Sequence, residues 1–312
     1  MSVAPPTTLL SRLRFTHLRL LDVLGRTGNL HRAADELHVT QPAATKILRQ
    51  VEDILGTALF ERSARPMVPT EIGATVVAYA RRALSDGERF AIGLDNLKRG
   101  GYGALSVGAI MATAYDLLPR AIAELKPRRP LMTIQVQAAT SDKLMTALER
   151  RELELVIGRL VGAYQRAEFD FEPLANEELW AFAADTHPLA NHTAIEIREL
   201  ERMAWVLQPA PSPMRHLIDV AFAKVGMASP DNVVETTSIF ATLQLVRHAG
   251  MIAVLPSTIV ADEVQRGGFV RLALRLDNEL EPYGIITPKG DLLGSNAAEF
   301  VSIIREFVKS PS

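Results

Sequence analysis

The stretch from Leu30 to Gly56, LHRAADELHVTQPAATKILRQVEDILG, constrains the fold of this chain more than any other. Its first part carries Ala33, Ala34 and Leu37 at helical spacing. Its longer second part has an apolar stripe made of Ala44, Ile47, Leu48, Val51 and Leu55. Only His38–Thr40 separates the two parts, which leaves room for a tight turn and nothing more. The pattern therefore predicts two amphipathic helices, each with one buried face.

The turn also carries the signals that begin a helix. Thr40 can cap the second helix through its hydroxyl, and Pro42 falls in the first turn, where a missing N–H costs no hydrogen bond. Two helices joined in this way form a helix-turn-helix, although two ordinary core helices would show the same pattern. The face left outside would offer side chains that read base edges or touch phosphate, namely Thr40, Gln41, Pro42, Thr45, Lys46 and Arg49.

A short segment that looks like a two-stranded wing follows, with Leu59 and Phe60 to anchor it and Arg62 and Arg65 as further DNA contacts. Together with the preceding helices it gives the run AADELHVTQPAATKILRQVEDILGTALFERSARPMVPTEIG. This run resembles the N-terminal signature of LysR-type transcriptional regulators. The resemblance implies a winged helix-turn-helix, a long dimerising helix and a two-lobed effector domain of the type 2 periplasmic-binding-protein fold. The overall class is then multidomain α/β.

The resemblance also implies a division of the chain. We expect a DNA-binding domain at 1–70, a dimerising linker helix and hinge at 71–102, and an effector-binding domain at 103–312. Lobe I would take 103–165 and 269–312, and lobe II 166–268. Within the family, the run LELVIGRLVG and the N-terminal block are most similar to the branch that regulates sugar-binding-protein or protocatechuate-pathway operons.

Charge and cysteine content narrow the class of function. The chain of 312 residues has a formal net charge of −2, yet residues 1–70 hold nine Lys/Arg against six Asp/Glu. The basic excess thus lies where the DNA-reading helix lies, as a nucleic-acid-binding protein requires. There is no cysteine, which excludes disulfides, thiolate metal sites and cysteine nucleophiles. With no signal peptide and no apolar membrane-spanning stretch, we expect a cytoplasmic protein with no membrane partner.

The linker helix has its own pattern. Over a length of about twenty-eight residues, apolar or small side chains recur at alternating steps of three and four, which is typical of a coiled-coil seam. They are Ile72, Val76, Ala80, Ala83, Gly87, Phe90, Leu94 and Leu97. A single helix lying along its own domain would also fit. The family resemblance implies a homodimer through this helix and a homotetramer built from such dimers.

A glycine-rich hinge at 99–103 precedes alternating strands and helices. A βαβαβ unit is predicted over 105–158, a second α/β set over 179–255, and a last strand and helix over 283–288 and 297–308. The pattern alone is compatible with two lobes or with one larger doubly wound sheet. The resemblance implies two lobes, with the chain crossing between them near 160–171 and 267–269.

An open α/β sheet binds ligands where strands end and helices begin. Loops of this kind are rich in hydroxyls, and the resemblance carries effector contacts onto Thr113, Thr140, Ser141, Thr237 and Ser238; ordinary helix caps are the alternative for each. Arg159, which follows a buried strand, would receive a carboxylate or form an internal salt bridge. Arg215, at a helix start, favours an anion nearby. These features predict an anionic or polyhydroxy effector.

No catalytic set emerges from the sequence, and we expect no cofactor and no bound metal. The acidic pairs Glu177–Glu178 and Glu152/Glu154 resemble exposed strand rims without shifted pKa values. The sequence therefore predicts a ligand-responsive transcriptional regulator that is not an enzyme, reads a partly palindromic operator and responds to a small molecule held between two lobes. The alternative is an enzyme or solute-binding protein of the same α/β fold with a helical N-terminal extension.

Overall fold

The computed structural model describes residues 12–61, 66–99, 101–160, 162–276 and 280–309. The chain forms two compact units, one of Met1–Leu94 with Arg150–Glu152 and one of Asp95–Glu149 with Leu153–Ser312. The boundary between the units falls inside the predicted linker segment 71–102, and the predicted division at 1–70, 71–102 and 103–312 stays a prediction.

The first unit is built from helices and one short sheet. Its elements are α1 (Phe15–Thr27), α2 (Leu30–Glu36), α3 (Gln41–Leu55), β1 (Phe60–Glu61), β2 (Val68–Pro69) and α4 (Glu71–Lys98), the last of which runs beyond the unit boundary. β1 and β2 pair antiparallel, as a two-stranded wing does. The predicted helix-turn-helix is present as α2, the turn and α3, with the buried Ala33, Ala34 and Ala44 in its core.

Local signals explain where these helices begin and end. The Asn29 side chain accepts hydrogen bonds from the backbone N–H groups of His31 and Arg32, and the Thr40 hydroxyl accepts one from Ala43. At its other end α3 stops at Gly56, which adopts a left-handed conformation with φ of 70°.

The linker helix α4 uses its apolar positions in two ways. Its first half packs into the core of its own unit, because Val77 and Ala80 are buried and Gly73 lies so close to the Leu59 carbonyl oxygen that a Cβ would collide with it. Its second half exposes Phe90 by 70% and Leu97 by 58%. The alternative of a helix lying along its own domain thus fits the seam residues Val76, Ala80 and Ala83, which lie in or against this core, and does not fit Ile72, which is 53% exposed.

The second unit contains two five-stranded sheets, so the single doubly wound sheet is excluded. The first sheet has the order β4-β3-β5-β12-β6, and parallel pairs join β3 to β4 and β5. Its strands are β3 (Ala104–Ala109), β4 (Thr133–Ala138), β5 (Leu155–Gly158), β6 (Phe169–Ala175) and β12 (Tyr283–Pro288). Its helices are α5 (Met111–Tyr115), α6 (Leu117–Arg128), α7 (Ser141–Glu149), α8 (Ala163–Glu168) and α12 (Ser295–Lys309).

The second sheet has the order β11-β7-β10-β8-β9. Its strands are β7 (Leu179–Ala184), β8 (Trp205–Leu207), β9 (Val233–Glu235), β10 (Ile252–Pro256) and β11 (Phe269–Arg271). A 3-10 turn (Ile197–Leu200) and the helices α9 (Pro213–Lys224), α10 (Ile239–Ala249) and α11 (Ser257–Arg266) complete it. Separate clusters of buried side chains cover the two faces of each sheet, as expected for an α/β lobe.

The chain crosses between the sheets later than predicted at both places. β6, expected beyond the first crossing, pairs antiparallel with β12 in the first sheet. β11, expected after the return, pairs with β7 in the second sheet. The crossings therefore fall after Ala175 and after Arg271, and the predicted crossings near 160–171 and 267–269 are wrong. β6 lies at the sheet edge, and in its run FDFEPLA the alternation of apolar and polar residues stops at Pro173 after only four residues.

Candidate effector cleft and DNA-contacting surface

The start of α3 presents a polar, exposed surface. Of the residues predicted there, all except Thr45 are exposed: Thr40, Gln41, Pro42, Lys46 and Arg49. Thr45 is half-buried, and its hydroxyl donates to the Gln41 carbonyl 2.9 Å away within the helix. Lys46 and Arg49 form no ion pair with any residue that the structure describes. Both charges are thus available to phosphate groups.

The opposite face of α3 holds this surface in place. Leu48 and Val51 are buried in the helical core. Glu52 is also buried, and its carboxylate accepts a hydrogen bond of 2.9 Å from the backbone N–H of Leu59, just before the wing. This acidic side chain therefore fixes the position of the wing relative to α3. The wing residues Arg62 and Arg65 lie outside the described residues.

The second unit has a cleft between its two sheets. One cavity of about 360 Å³ is lined from the first sheet by Met111, Ala114, Tyr115, Ala138, Ala139 and Thr140, and from the second by Gln208, Thr237 and Ile239. A smaller pocket of about 20 Å³ adjoins it and shares Met111, Ala139, Thr140 and Gln208. The smaller pocket has room for about one water molecule, and the larger one for a small organic ligand.

The hydroxyl residues predicted for the effector separate into two groups. Thr140 and Thr237 line the larger cavity, and Thr140 and Ser141 line the smaller pocket. The hydroxyl of Thr113 instead donates to the carbonyls of Ile110 and Ile157, in the interior of the first lobe. Ser238 caps α10, since its hydroxyl accepts from the N–H of Ala241. The structure thus gives Thr113 and Ser238 the capping and packing roles that were the alternative reading of these positions.

Arg159 lies at the base of the smaller pocket in a buried ion pair. Its guanidinium donates to the Glu177 carboxylate at 2.8 Å and to the Glu281 carbonyl at 2.7 Å, and the two charged side chains are only 6% and 5% exposed. Arg159 was predicted either to bind a carboxylate of the effector or to form an internal salt bridge, and this geometry is that of the internal salt bridge. The expectation of an exposed Glu177 without a shifted pKa is wrong, because burial raises its pKa and outweighs the opposing effect of Arg159.

Arg215 supplies no free charge to the cleft. At the start of α9 it donates to Asp219 at 2.9 Å and to Glu235 at 2.7 Å, and it does not line either pocket. These two carboxylates offset the repulsion that a helix N-terminus exerts on a cation. Arg215 therefore gives no support to an anionic effector.

Sequence reasoning missed several residues of the cleft. Gln208 lines both pockets directly after β8, and its position as a polar residue at a strand end was the available signal. Met111 and Ile239 line the cleft from the first residues of α5 and α10, and Tyr115 from the last residue of α5. Nothing in the sequence distinguishes these three from core residues. Glu177 was missed because its partner Arg159 is distant in sequence and comes close to it only in the folded protein.

No cluster of His, Asp and Glu side chains suited to a metal ion occurs among the residues that the structure describes. Over the same residues, no helix combines the length and apolar character that crossing a membrane requires.

Comparison with known proteins agrees with this architecture. Residues 15–74 match the family model for bacterial regulatory helix-turn-helix proteins of the lysR family, and residues 98–309 match that of the LysR substrate binding domain. The HTH-type transcriptional regulator GbpR of Azospirillum brasilense is 31% identical over 95% of this chain and 87% of its own length. GalR of Pseudomonas putida is 28% identical over 93% of this chain and 73% of its own length.

Solved structures share the fold. The crystal structure of CbnR, a LysR family transcriptional regulator, has a TM-score of 0.65 at 22% identity and covers 96% of this chain and 100% of CbnR. The effector binding domain of QuiR in complex with shikimate has a TM-score of 0.55 at 18% identity, covering 66% of this chain and 97% of that domain. On these matches the chain belongs to the LysR family and is a DNA-binding transcriptional regulator with an effector-binding domain.

Proposed function

We propose that α3 enters the major groove of a partly palindromic operator, with Gln41 and Pro42 leading and Thr45 and Lys46 one turn further on. Arg49 and the backbone near Thr40 then face phosphates, and Arg62 and Arg65 of the wing add contacts beside the groove. The observation that carries this proposal is the exposed start of α3, where two cations have no partner among the described residues. CbnR, which shares the fold, has been crystallised with its target DNA.

We propose further that two copies pair through the second half of α4 and that the dimers assemble into a homotetramer. Phe90, Leu94 and Leu97 lie at seam spacing and are 38–70% exposed, so three large apolar side chains share one exposed face of the helix. A partner copy with the same strip would bury them. Two DNA-binding domains on one operator also compensate for the modest basic charge of each.

We infer that the effector occupies the cleft of the second unit, in contact with Thr140, Ser141 and Thr237 and next to Arg159. The cleft is lined by both lobes, so that a ligand bridging them would favour one arrangement of the lobes over others. Only such a difference in affinity between two arrangements can change how the protein binds DNA.

We assign no catalytic step to this cleft. We propose that the protein acts in the cytoplasm, where a bacterial regulator has access to chromosomal DNA. The choice between sugar-binding-protein and protocatechuate operons stays a prediction.

The test pairs operator occupancy with effector response. Cross-linking in the host identifies the operator, and footprinting with the purified full-length protein then screens monosaccharides and small carboxylates for compounds that alter the footprint. Thr140→Val and Thr237→Val should keep the ligand-free footprint and lose the response. Thr146→Val is the matched control, since its exposed hydroxyl bonds to Asp142 within α7 and lies outside both pockets. Full response by both cleft variants would refute the assignment.

A further inference from the structure

One carboxylate oxygen of Glu177, a residue that lines the smaller pocket, has no hydrogen-bond partner among the described residues. Oε2 of Glu177 accepts from Arg159, whereas Oε1 is buried and has no hydrogen-bond partner among the described residues. The side chain is 5% exposed and lines the smaller pocket together with Thr140 and Gln208. A buried acceptor without a donor destabilises the protein, so a group that donates to it gains more than it would at the surface.

The positive charge that lines the cleft already has hydrogen-bond partners within the protein. Arg159 is the one cation among the described residues that line the two pockets, and its guanidinium is bound to Glu177 and to the Glu281 carbonyl. Among the described residues that line the larger cavity, none has a charged side chain. The side chains of Ser212 and Ser238 also accept from N–H groups at the starts of α9 and α10. An anion would therefore find few free donors and would face the Glu177 carboxylate.

We propose that the cleft selects a neutral, hydroxyl-rich ligand, such as a monosaccharide or other polyol, one of whose O–H groups donates to Oε1 of Glu177. This inference rests on the proposed effector site and decides between the two ligand classes that the sequence leaves open. Thr140, Thr237 and Gln208 lie where they can bond the remaining hydroxyls. Tyr115 and Ile239 line the same cavity and offer apolar surface to the C–H faces of a sugar ring.

The experiment compares matched neutral and anionic sugars on the full-length protein by isothermal titration calorimetry. The probes are D-glucose, D-galactose and D-xylose against D-glucuronate and D-galacturonate. We expect at least one neutral sugar to bind and its uronate to bind at least ten times more weakly. Glu177→Gln should weaken binding of the neutral sugar by about ten-fold or more, because the amide is a neutral acceptor and turns its NH2 donor toward either Arg159 or the ligand hydroxyl. Glu178→Gln, one residue away in an exposed pair with Arg271, should change nothing.

A second variant guards against misfolding. The double change Arg159→Met with Glu177→Leu removes both buried charges together, which proteins tolerate far better than loss of one partner. We expect this variant to unfold at the wild-type temperature or above and to bind no neutral sugar. Binding of the uronates alone, binding of neither class, or an unchanged neutral-sugar affinity in Glu177→Gln would overturn the inference. If uronates or other carboxylates alter the DNA footprint, and Thr140→Val or Thr237→Val abolishes this effect, the proposed location of the effector site remains supported while the preference for neutral ligands is refuted.

Discussion

The guanidinium of Arg159 lies 2.8 Å from the carboxylate of Glu177 in the effector-binding domain, and both side chains are almost fully buried. Arg159 follows the end of β5, and Glu177 lies two residues after β6, where the chain first leaves the first sheet. Arg159 also binds the carbonyl of Glu281, on the segment that returns to β12. One side chain therefore ties both crossing segments to the end of a central strand.

Removing Arg159 should destabilise the second unit in a pH-dependent way. In Arg159→Met the Glu177 carboxylate is left buried without its partner, which costs about 3–5 kcal/mol of unfolding free energy near neutral pH. The pKa of Glu177 is already raised by burial, so the carboxyl can take up a proton and the loss should shrink toward pH 5. Urea unfolding at both pH values measures this. Equal losses at the two pH values, or a loss no larger than in the exposed-pair control Arg271→Met, would contradict it.

A methyl group at Gly73 should destabilise the DNA-binding domain. Its Cβ would collide with the Leu59 carbonyl oxygen, which also accepts from the N–H of Thr70, so the backbone would have to move. We expect Gly73→Ala to cost about 1–3 kcal/mol. Thermal unfolding of the purified protein gives the value. Gly93→Ala in the same helix is the control, since nothing lies within 4 Å of its added Cβ and alanine favours the helix by about 0.5–1 kcal/mol.

A charge on the exposed half of α4 should break the proposed dimer. Phe90→Asp places an unpaired carboxylate against the apolar strip of the partner copy, which an apolar interface does not tolerate. Sedimentation velocity should show smaller particles, and operator affinity should fall with them. Ile92→Asp is the control. It adds the same charge on the other side of the helix, at a position 39% exposed, and should leave the dimer intact. If Phe90→Asp sediments as the wild type does, the strip has another role.

The DNA-binding domain should lose stability in mild acid because of His17. This side chain is buried, its Nδ1 accepts from the Arg14 N–H, and its pKa is lowered from 6.5 by burial and by the charge of Arg14. The unfolded state therefore takes up a proton at a higher pH than the folded state does. Stability is full above about pH 6.5 and falls as the pH drops below that value.

The control for this pH effect is another histidine. His17→Gln should flatten the dependence of the unfolding temperature between about pH 7 and pH 5, since glutamine does not titrate. His31→Gln, which removes a largely exposed imidazole from the same domain, is the matched control. A wild-type slope in His17→Gln would show that another group is responsible.

The sequence was informative wherever a local pattern decides the structure. The periodicity of α3, the Thr40 cap and the Gly56 stop are written in neighbouring residues, and the helix-turn-helix follows from them. The strand β6 was missed because it is an edge strand that is recognised by its pairing with β12, more than a hundred residues away. Glu177 was misjudged for the same reason, since nothing near it in sequence shows that Arg159 will neutralise it.

Thr113 and Thr140 illustrate the limit for binding sites. Thr113 lies in α5, shortly after β3, and Thr140 lies between β4 and α7. The sequence offers no way to tell the two hydroxyls apart. In the folded protein the Thr113 hydroxyl points to the carbonyls of Ile110 and Ile157, while Thr140 lines the cleft. The difference depends on which carbonyls the fold brings near, which is a tertiary property.

The most direct test of the account is selection of binding sequences from random duplex DNA by the full-length protein and its α3 variants. The wild type should enrich a partly palindromic sequence. Gln41→Ala should lose the preference at one base position in each half-site, worth about 1–3 kcal/mol. Lys46→Ala should weaken all sequences alike and reduce the slope of log affinity against log salt by about one. Selection of the same sequence with undiminished preference by Gln41→Ala, and an unchanged salt slope in Lys46→Ala, would contradict the claim that α3 reads the operator.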